Sequence, residues 1–372
     1  MAENMKVIFY GVRGTRVTPD PLYWKYGSNT SCVFIEKGNT KLVLDTGSGV
    51  VNLGRDLIKR VGGIQGYTEL PSEEKVINVF NSHLHPDHHE GFPGFAPAFF
   101  PDTLIKFIGE KKPARRQDSS DEYVGPEAIY RRTQAGNNYP VRFDPRDRLE
   151  EPEPFMPCKK EFYHVAPKSE IKEGEKIGTS TIYNKLDLGD LTIEPIREKH
   201  PQGAVGAKVT DKETGASVAY IVDTEHIPGT LDYKILEGIR DVDALLYDSS
   251  MSHRGFAKEE IAHLPKEIID KVEFAVYEKH VGWGHSTLEE AVKLAIAANI
   301  GKVIGTHHEP RHIDPVLDLI LSDVRSKYPG FDIDLAMEGS VLKIDKGRVT
   351  YVHEPNIGDQ IKLLARTHNV KL

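Results

Sequence analysis

The sequence predicts a mixed α and β fold, and three observations carry that expectation. Short apolar runs rich in β-branched residues recur along the chain and break off at glycine-containing or polar turns. Amphipathic windows with helix-cap signals lie between them. At 372 residues the chain is also long enough to bury a large core.

Taken in order, residues 6–10, 32–36, 42–44 and 76–80 read as strands, with a helix over 52–59. Further strands are expected at 191–196, 205–209, 218–222, 244–247 and 303–305. Ser286 reads as an N-cap with Glu289 closing a capping box, and Leu288, Ala291, Val292, Ala295 and Ala298 share one face of the helix that follows. A last helix has Asp314 as its cap, Pro315 in its first turn, and Leu317, Ile320, Leu321 and Val324 on one face, and it stops before Pro329. Residues 101–185 carry dispersed Pro, Gly and charge and read as an insertion; a second, at 252–281, holds a helix over 258–269. The segment after Glu354 is weakly patterned, and no repeat appears, so one domain over 1–372 is expected.

The stretch His83-Leu-His85-Pro-Asp87-His88-His89-Glu-Gly places four imidazoles and a carboxylate in seven positions. On an extended chain continuing from the 76–80 strand, His83 and His85 face the same side two residues apart, so both rings reach one ion. Pro86 holds its neighbour extended and interrupts the strand's hydrogen bonding. Asp87 and His88 then follow where the chain turns, and offer a carboxylate and an imidazole to a second ion. A merely hydrated His-rich loop has no reason to sit directly behind a buried-type strand.

This motif resembles the HxHxDH signature of the metallo-β-lactamase superfamily of binuclear metallohydrolases, and the remaining superfamily motifs occur in order. Asp45, in Leu-Asp45-Thr-Gly47, matches an Asp that steadies the metal loop from behind without ligating; it also reads as a plain turn-former before Gly47. His200 follows the LTIEPI run, Asp223 closes VAYIV, and His307 follows KVIGT. The resemblance implies His83, His85 and His200 on one ion, Asp87, His88 and His307 on the other, and Asp223 between them. Strand neighbours point to opposite faces, so only one of His307 and His308 is expected to ligate; His307 is chosen, with His308 as the alternative. The resemblance further implies an αββα sandwich of two mixed sheets, with the metals at the sheet ends.

Gly282-Trp-Gly-His285-Ser-Thr resembles a segment of the phosphodiesterase branch, which includes the tRNA 3′-processing endonucleases (ribonuclease Z). There the His acts at the scissile phosphate. The plainer alternative for His285 is a cap neighbour packed on Trp283. Lys-His200-Pro-Gln-Gly differs from the Pro-Gly-His-Thr motif of glyoxalase II-like thiolesterases and related lactonases, and the intact His85 differs from the flavodiiron branch. Gly11-Val-Arg-Gly-Thr and Tyr26-Gly-Ser-Asn-Thr-Ser-Cys32 lack the Pro/Lys/Arg-rich loop of ribonuclease Z and look more like relatives that act on cyclic phosphates.

The resemblance therefore implies a binuclear hydrolase of a small or cyclic phosphodiester, working through water shared by two divalent ions, with Asp87 and His285 as catalytic residues. The alternatives are a ribonuclease Z-like endonuclease and a lactone, ester or sulfate-ester hydrolase. Zinc leads as the metal, and manganese and iron(II) suit the same donors.

Composition limits the partners. With 56 acidic against 48 basic side chains the net charge is −8, which disfavours a broad nucleic-acid surface. The basic run at 111–116, beside Asp118, Asp121 and Glu122, is the local candidate for such contact but reads more readily as a solvated face. No apolar run approaches the roughly 18 residues of a membrane span. The N-terminus reads as a first strand instead of a secretory signal. A soluble, cytoplasmic enzyme of a small-molecule substrate is expected, without a membrane partner and compatible with a homodimer. Cys32 and Cys158 suggest no disulfide framework and read as small buried hydrophobes.

Overall fold

The computed structural model describes residues 4–113, 123–134, 139–144, 154–172 and 174–352. Two mixed sheets form the centre. The first runs in the order Arg348–Val352, Val341–Asp345, Met5–Gly11, Cys32–Lys37, Thr40–Leu44, Val76–Asn81, Leu104–Glu110, Lys159–Val165, Ser180–Tyr183 and Lys176–Ile177. The second runs Leu186–Asp187, Leu191–Glu198, Ala204–Asp211, Ser217–Ile221, Ala244–Asp248, Lys302–Thr306 and Asp332–Leu335. Each sheet begins antiparallel and turns parallel partway across, at Thr40–Leu44 with Val76–Asn81 in one and at Ser217–Ile221 with Ala244–Asp248 in the other. In the second sheet the parallel strands ALLYD and KVIGT are buried throughout, which is why they read as continuous apolar runs instead of alternating ones.

The inner faces pack on each other through a cluster that includes Val7, Phe9, Leu44, Ile193, Val205, Tyr220, Leu246 and Ile304. Helix Val50–Arg60 lays Val50, Leu53 and Leu57 on the outside of the first sheet. Helices Leu288–Ala297 and Asp314–Lys327 cover the outside of the second. The result is the helix-sheet-sheet-helix layering that the resemblance implied.

Some local expectations need correction. Thr287 and not Ser286 caps the helix Leu288–Ala297, its Oγ1 accepting from the Glu290 N–H at 3.3 Å, while Ser286 Oγ lies 2.8 Å from His226 Nδ1. Asp314 stands inside its helix, because its carboxylate is taken by the backbone N–H groups of Lys25 and Tyr26 and by Arg13. The expected 258–269 helix is two short helices, Lys258–Ile261 and Lys266–Ile269; Pro265 lacks the N–H and the ring clearance a continuous helix needs. Within 101–185, Leu104–Glu110 and Lys159–Val165 extend the first sheet by parallel pairing. Residues 114–116 of the basic run, its acidic neighbours Asp118, Asp121 and Glu122, and the segment after Glu354 lie outside the described residues. Among the described residues no helix is long and apolar enough to cross a membrane. Cys32 and Cys158 are both buried free thiols.

Candidate metal centre

Strand ends from both sheets deliver the polar side chains to one place. After Val76–Asn81 the chain stays extended through His85 and then makes a 3-10 turn, Pro86–His88. His83, Asp87 and His88 are buried by this path. His200 follows Leu191–Glu198, Asp223 follows Ser217–Ile221, and His307 follows Lys302–Thr306. Asp45, Asp223 and His307 adopt left-handed backbone, with φ of 60°, 56° and 59°. Such conformations are costly for non-glycine residues and cluster where side chains must be aimed.

The rings of His83, His85 and His200 pack with centroids 4.5 to 5.0 Å apart, and His200 Nε2 lies 3.2 Å from His85 Nδ1. A second group forms around the acids. His88 Nε2 lies 3.2 Å from Asp87 Oδ2 and 3.0 Å from Asp223 Oδ2, and His307 Nε2 lies 3.3 and 3.1 Å from the same two oxygens. His83, His85 and His200 form one set of ligand-type atoms within 4.8 Å of one another, and Asp87, His88 and His307 another; Asp223 falls in sets shared with each. His308 is elsewhere: its Nε2 is 2.9 Å from the Ala336 carbonyl. His89 packs against Tyr130 and does not join the cluster.

The residues present fit divalent ions. Nε2 of His83, Nε2 of His88 and Oδ2 of Asp223 are buried without an aligned hydrogen-bond partner, an expensive arrangement unless something else satisfies them. Burial and the neighbouring imidazoles hold His83 well below the usual histidine range, and burial with His200 lowers His85; neutral imidazole is the metal-binding form. His88 goes the other way: burial opposes its charge, yet Asp87, Asp223 and Asp45 raise it, so the buried acids call for positive charge.

Behind the inward-facing atoms, a ring of hydrogen bonds fixes the imidazoles. Nδ1 of His83 contacts Ser82 Oγ at 3.1 Å, that of His88 Asp45 Oδ2 at 2.8 Å, that of His200 the Gly284 carbonyl at 2.8 Å, and that of His307 Ser250 Oγ at 2.9 Å. Each bond leaves Nε2 facing inward and sets the tautomer. Asp45 also accepts from Ser82 N–H, Ser82 Oγ and Tyr220 OH, so it serves as more than a turn-former.

His285 stands beside the cluster, stacked on His307 at 5.2 Å with Nδ1 2.9 Å from Asp248 Oδ2. Burial would lower its pKa, but Asp248 and Asp223 push it up to about 9. Sequence reasoning passed over Asp248, Ser82, Ser250 and Glu225, whose Oε2 accepts from Gly282 and Gly284 N–H. Asp248 was findable, since it closes an apolar strand just as the motif ending in Asp223 does. Lys112 bridges to the Gln202 and Gly203 carbonyls, so the start of the basic run rests on the His200 loop.

No family model matches the chain. In sequence it is 23% identical to ribonuclease Z of Methanosarcina mazei over 347 residues, covering 87% of this chain and 93% of that protein. It is 24% identical to ribonuclease Z of Exiguobacterium sibiricum over 263 residues, covering 64% and 73%. In structure it resembles the metallo-β-lactamase fold protein YhfI from Bacillus subtilis with a TM-score of 0.53 at 14% identity, covering 92% of this chain and 99% of YhfI. It also resembles a diphosphatase of the PhnP family, with a TM-score of 0.51 at 16% identity, covering 91% and 97%. The chain thus has the layered fold of the metallo-β-lactamase fold protein YhfI and is similar in sequence to ribonuclease Z.

Proposed function

We propose that the chain is a metal-dependent hydrolase of phosphodiesters, with His83, His85 and His200 holding one divalent ion, Asp87, His88 and His307 the other, and Asp223 reaching both. Zinc is the first choice, and manganese or iron(II) suits the same donors. Bound there, such ions supply Lewis acidity and a water of lowered pKa. Asp87 and Asp223 offset the added positive charge, and Asp87 is itself held by the Thr15 N–H at 2.7 Å. His285 keeps its Nδ1 on Asp248, which favours its protonated form and leaves Nε2 to deliver a proton to the departing alkoxide. The observation that carries the reading is this His285–Asp248 pair set against a cluster with orphaned, buried ligand atoms.

Two substrate classes compete. The acidic balance of the chain favours a small or cyclic phosphodiester. The ribonuclease Z of Methanosarcina mazei, alignable over 87% of the chain, favours the 3′ end of a precursor tRNA. Metal-loaded protein is assayed on cyclic nucleotides, linear phosphodiesters, precursor tRNA, and a lactone and sulfate ester as controls. Phosphodiester turnover that vanishes in a His83→Ala, His85→Ala double variant is expected. Turnover of the lactone or sulfate ester alone, indifferent to His285→Ala, would overturn the proposal.

A further inference from the structure

The loop that precedes His285 carries a feature the hydrolytic chemistry does not use. Trp283 is 56% exposed and Val281 57% exposed, on a segment that is otherwise firmly held. Gly282 and Gly284 take φ of 92° and 87°, and both donate their N–H groups to the buried Glu225 carboxylate at 2.8 and 2.9 Å. The Gly284 carbonyl receives Nδ1 of His200, and the next residue is His285. His280 meets the indole edge-on at 4.6 Å, and the Arg311 guanidinium lies over the ring at 6.0 Å. An exposed indole is thus clamped two residues from the proposed leaving-group acid and bonded through its own loop to a proposed ligand. A large aromatic surface left in water on a rigid loop stabilises nothing by burial within the chain. It is suited to a planar partner, which it can meet at little entropic cost.

We infer that Trp283 is a stacking platform for a nucleobase of the substrate, so the hydrolysed phosphodiester is a nucleoside ester and not an aliphatic one. This rests on the phosphodiesterase reading above. Base-on-aromatic stacking tolerates every base, because each has a π face, so the platform selects for a base without selecting which.

Because the chain has two tryptophans, Trp24→Phe leaves Trp283 as the sole indole fluorophore. Adenosine 5′-monophosphate is expected to quench that fluorescence saturably, and ribose 5-phosphate is not. This readout needs no turnover, so it survives if the hydrolytic reading fails. In the metal-loaded enzyme, adenosine 5′-(methyl phosphate) and ribose 5-(methyl phosphate) differ only in the base. Trp283→Ala should shrink the ratio of their kcat/KM values by about 5- to 150-fold, and Trp283→Phe should restore most of it. Equal quenching by the two phosphates, or a ratio that Trp283→Ala leaves in place, overturns the inference. So does an indole whose emission shifts with protein concentration and ignores the nucleotide, which would put Trp283 between two copies of the chain.

Discussion

The two loops that meet at the cluster are built differently. The one from His83 to His88 is closed on itself: His83, Asp87 and His88 are buried, and Asp45 gathers Ser82, His88 and Tyr220 from three directions with side-chain bonds. The loops carrying His200 and His285 are partly open, fixed by the Gly284 carbonyl, by Glu225 accepting backbone N–H groups and by Asp248. The difference assigns tasks. A seat for cations needs fixed, water-free donors, whereas a surface that receives substrate must stay accessible while its acid stays aimed.

Breaking the closed side should have the largest effect. Asp45→Ala leaves the Ser82 N–H, the Ser82 and Tyr220 hydroxyls and His88 Nδ1 without their acceptor in a fully buried place. We expect a stability loss of about 3–5 kcal/mol by urea denaturation. Metal affinity in the folded fraction should fall roughly 10- to 100-fold by competitive chelation. If affinity holds, Asp45 does not support the seat.

Gly284→Ala attacks the open side through geometry. A Cβ there would stand 2.2 Å from His200 Nδ1, on a backbone with φ of 87° that side chains rarely adopt. His200 must move, so kcat should drop by about 100-fold, as for a comparable misplacement of reacting groups. Metal analysis should show one ion retained and the other depleted, since Asp87, His88 and His307 are untouched. Loss of both ions would mean that the two sides are not separable.

Much of this contrast was legible in the chain. The strand ends bearing His83, His200, Asp223 and His307 stand out because β-branched runs terminate at functional residues, and an extended strand makes the pairing of His83 with His85 inevitable. The partners behind them were not legible: that Ser250 serves His307, Glu225 holds Gly282 and Gly284, and Tyr220 reaches Asp45 depends on separations of 57 to 175 residues. Periodicity carries no such information. Leu104–Glu110 and Lys159–Val165 were lost in an insertion for a different reason. Lys106 and Glu110 in the one, and Lys159, Lys160 and Glu161 in the other, interrupt the apolar pattern that marked the other strands.

A gentler change separates proton delivery from metal seating. In Asp248→Asn the amide oxygen can still accept from the Ser250 N–H, which turns the amide NH2 toward the Thr224 N–H and His285 Nδ1, both donors in the native arrangement. His285 loses its charged partner. A hydrogen bond to a charged group contributes about 1.5–3 kcal/mol, so kcat should fall roughly 10- to 100-fold. The metal content should stay at the wild-type value, and a variant that loses metal would instead make Asp248 part of the seat.

The smallest effect at neutral pH, and the most selective for the open side, concerns His312. This buried side chain accepts the Ala275 N–H at Nε2, 2.9 Å away, and so ties down the segment containing Ala275 and Tyr277 that leads to the Trp283 loop. Burial, with Arg13, Arg311 and His280 nearby and only Glu309 opposing, lowers its pKa from 6.5 to about 3. In acid the unfolded chain therefore takes up this proton before the folded one does. The contribution is complete above the ordinary value and drains as pH falls from 6.5 toward 3. Between pH 7 and pH 5 the linkage amounts to about 2 kcal/mol. His312→Gln keeps an acceptor near Nε2 and does not titrate, so its urea-derived stability should fall less over that interval by about that amount. The protection factor of the Ala275 amide, exchange corrected for its intrinsic pH dependence, should fall from pH 7 to pH 5 more in the wild type than in the variant. Equal slopes for the two proteins would show that the fold does not hold His312 neutral in mild acid.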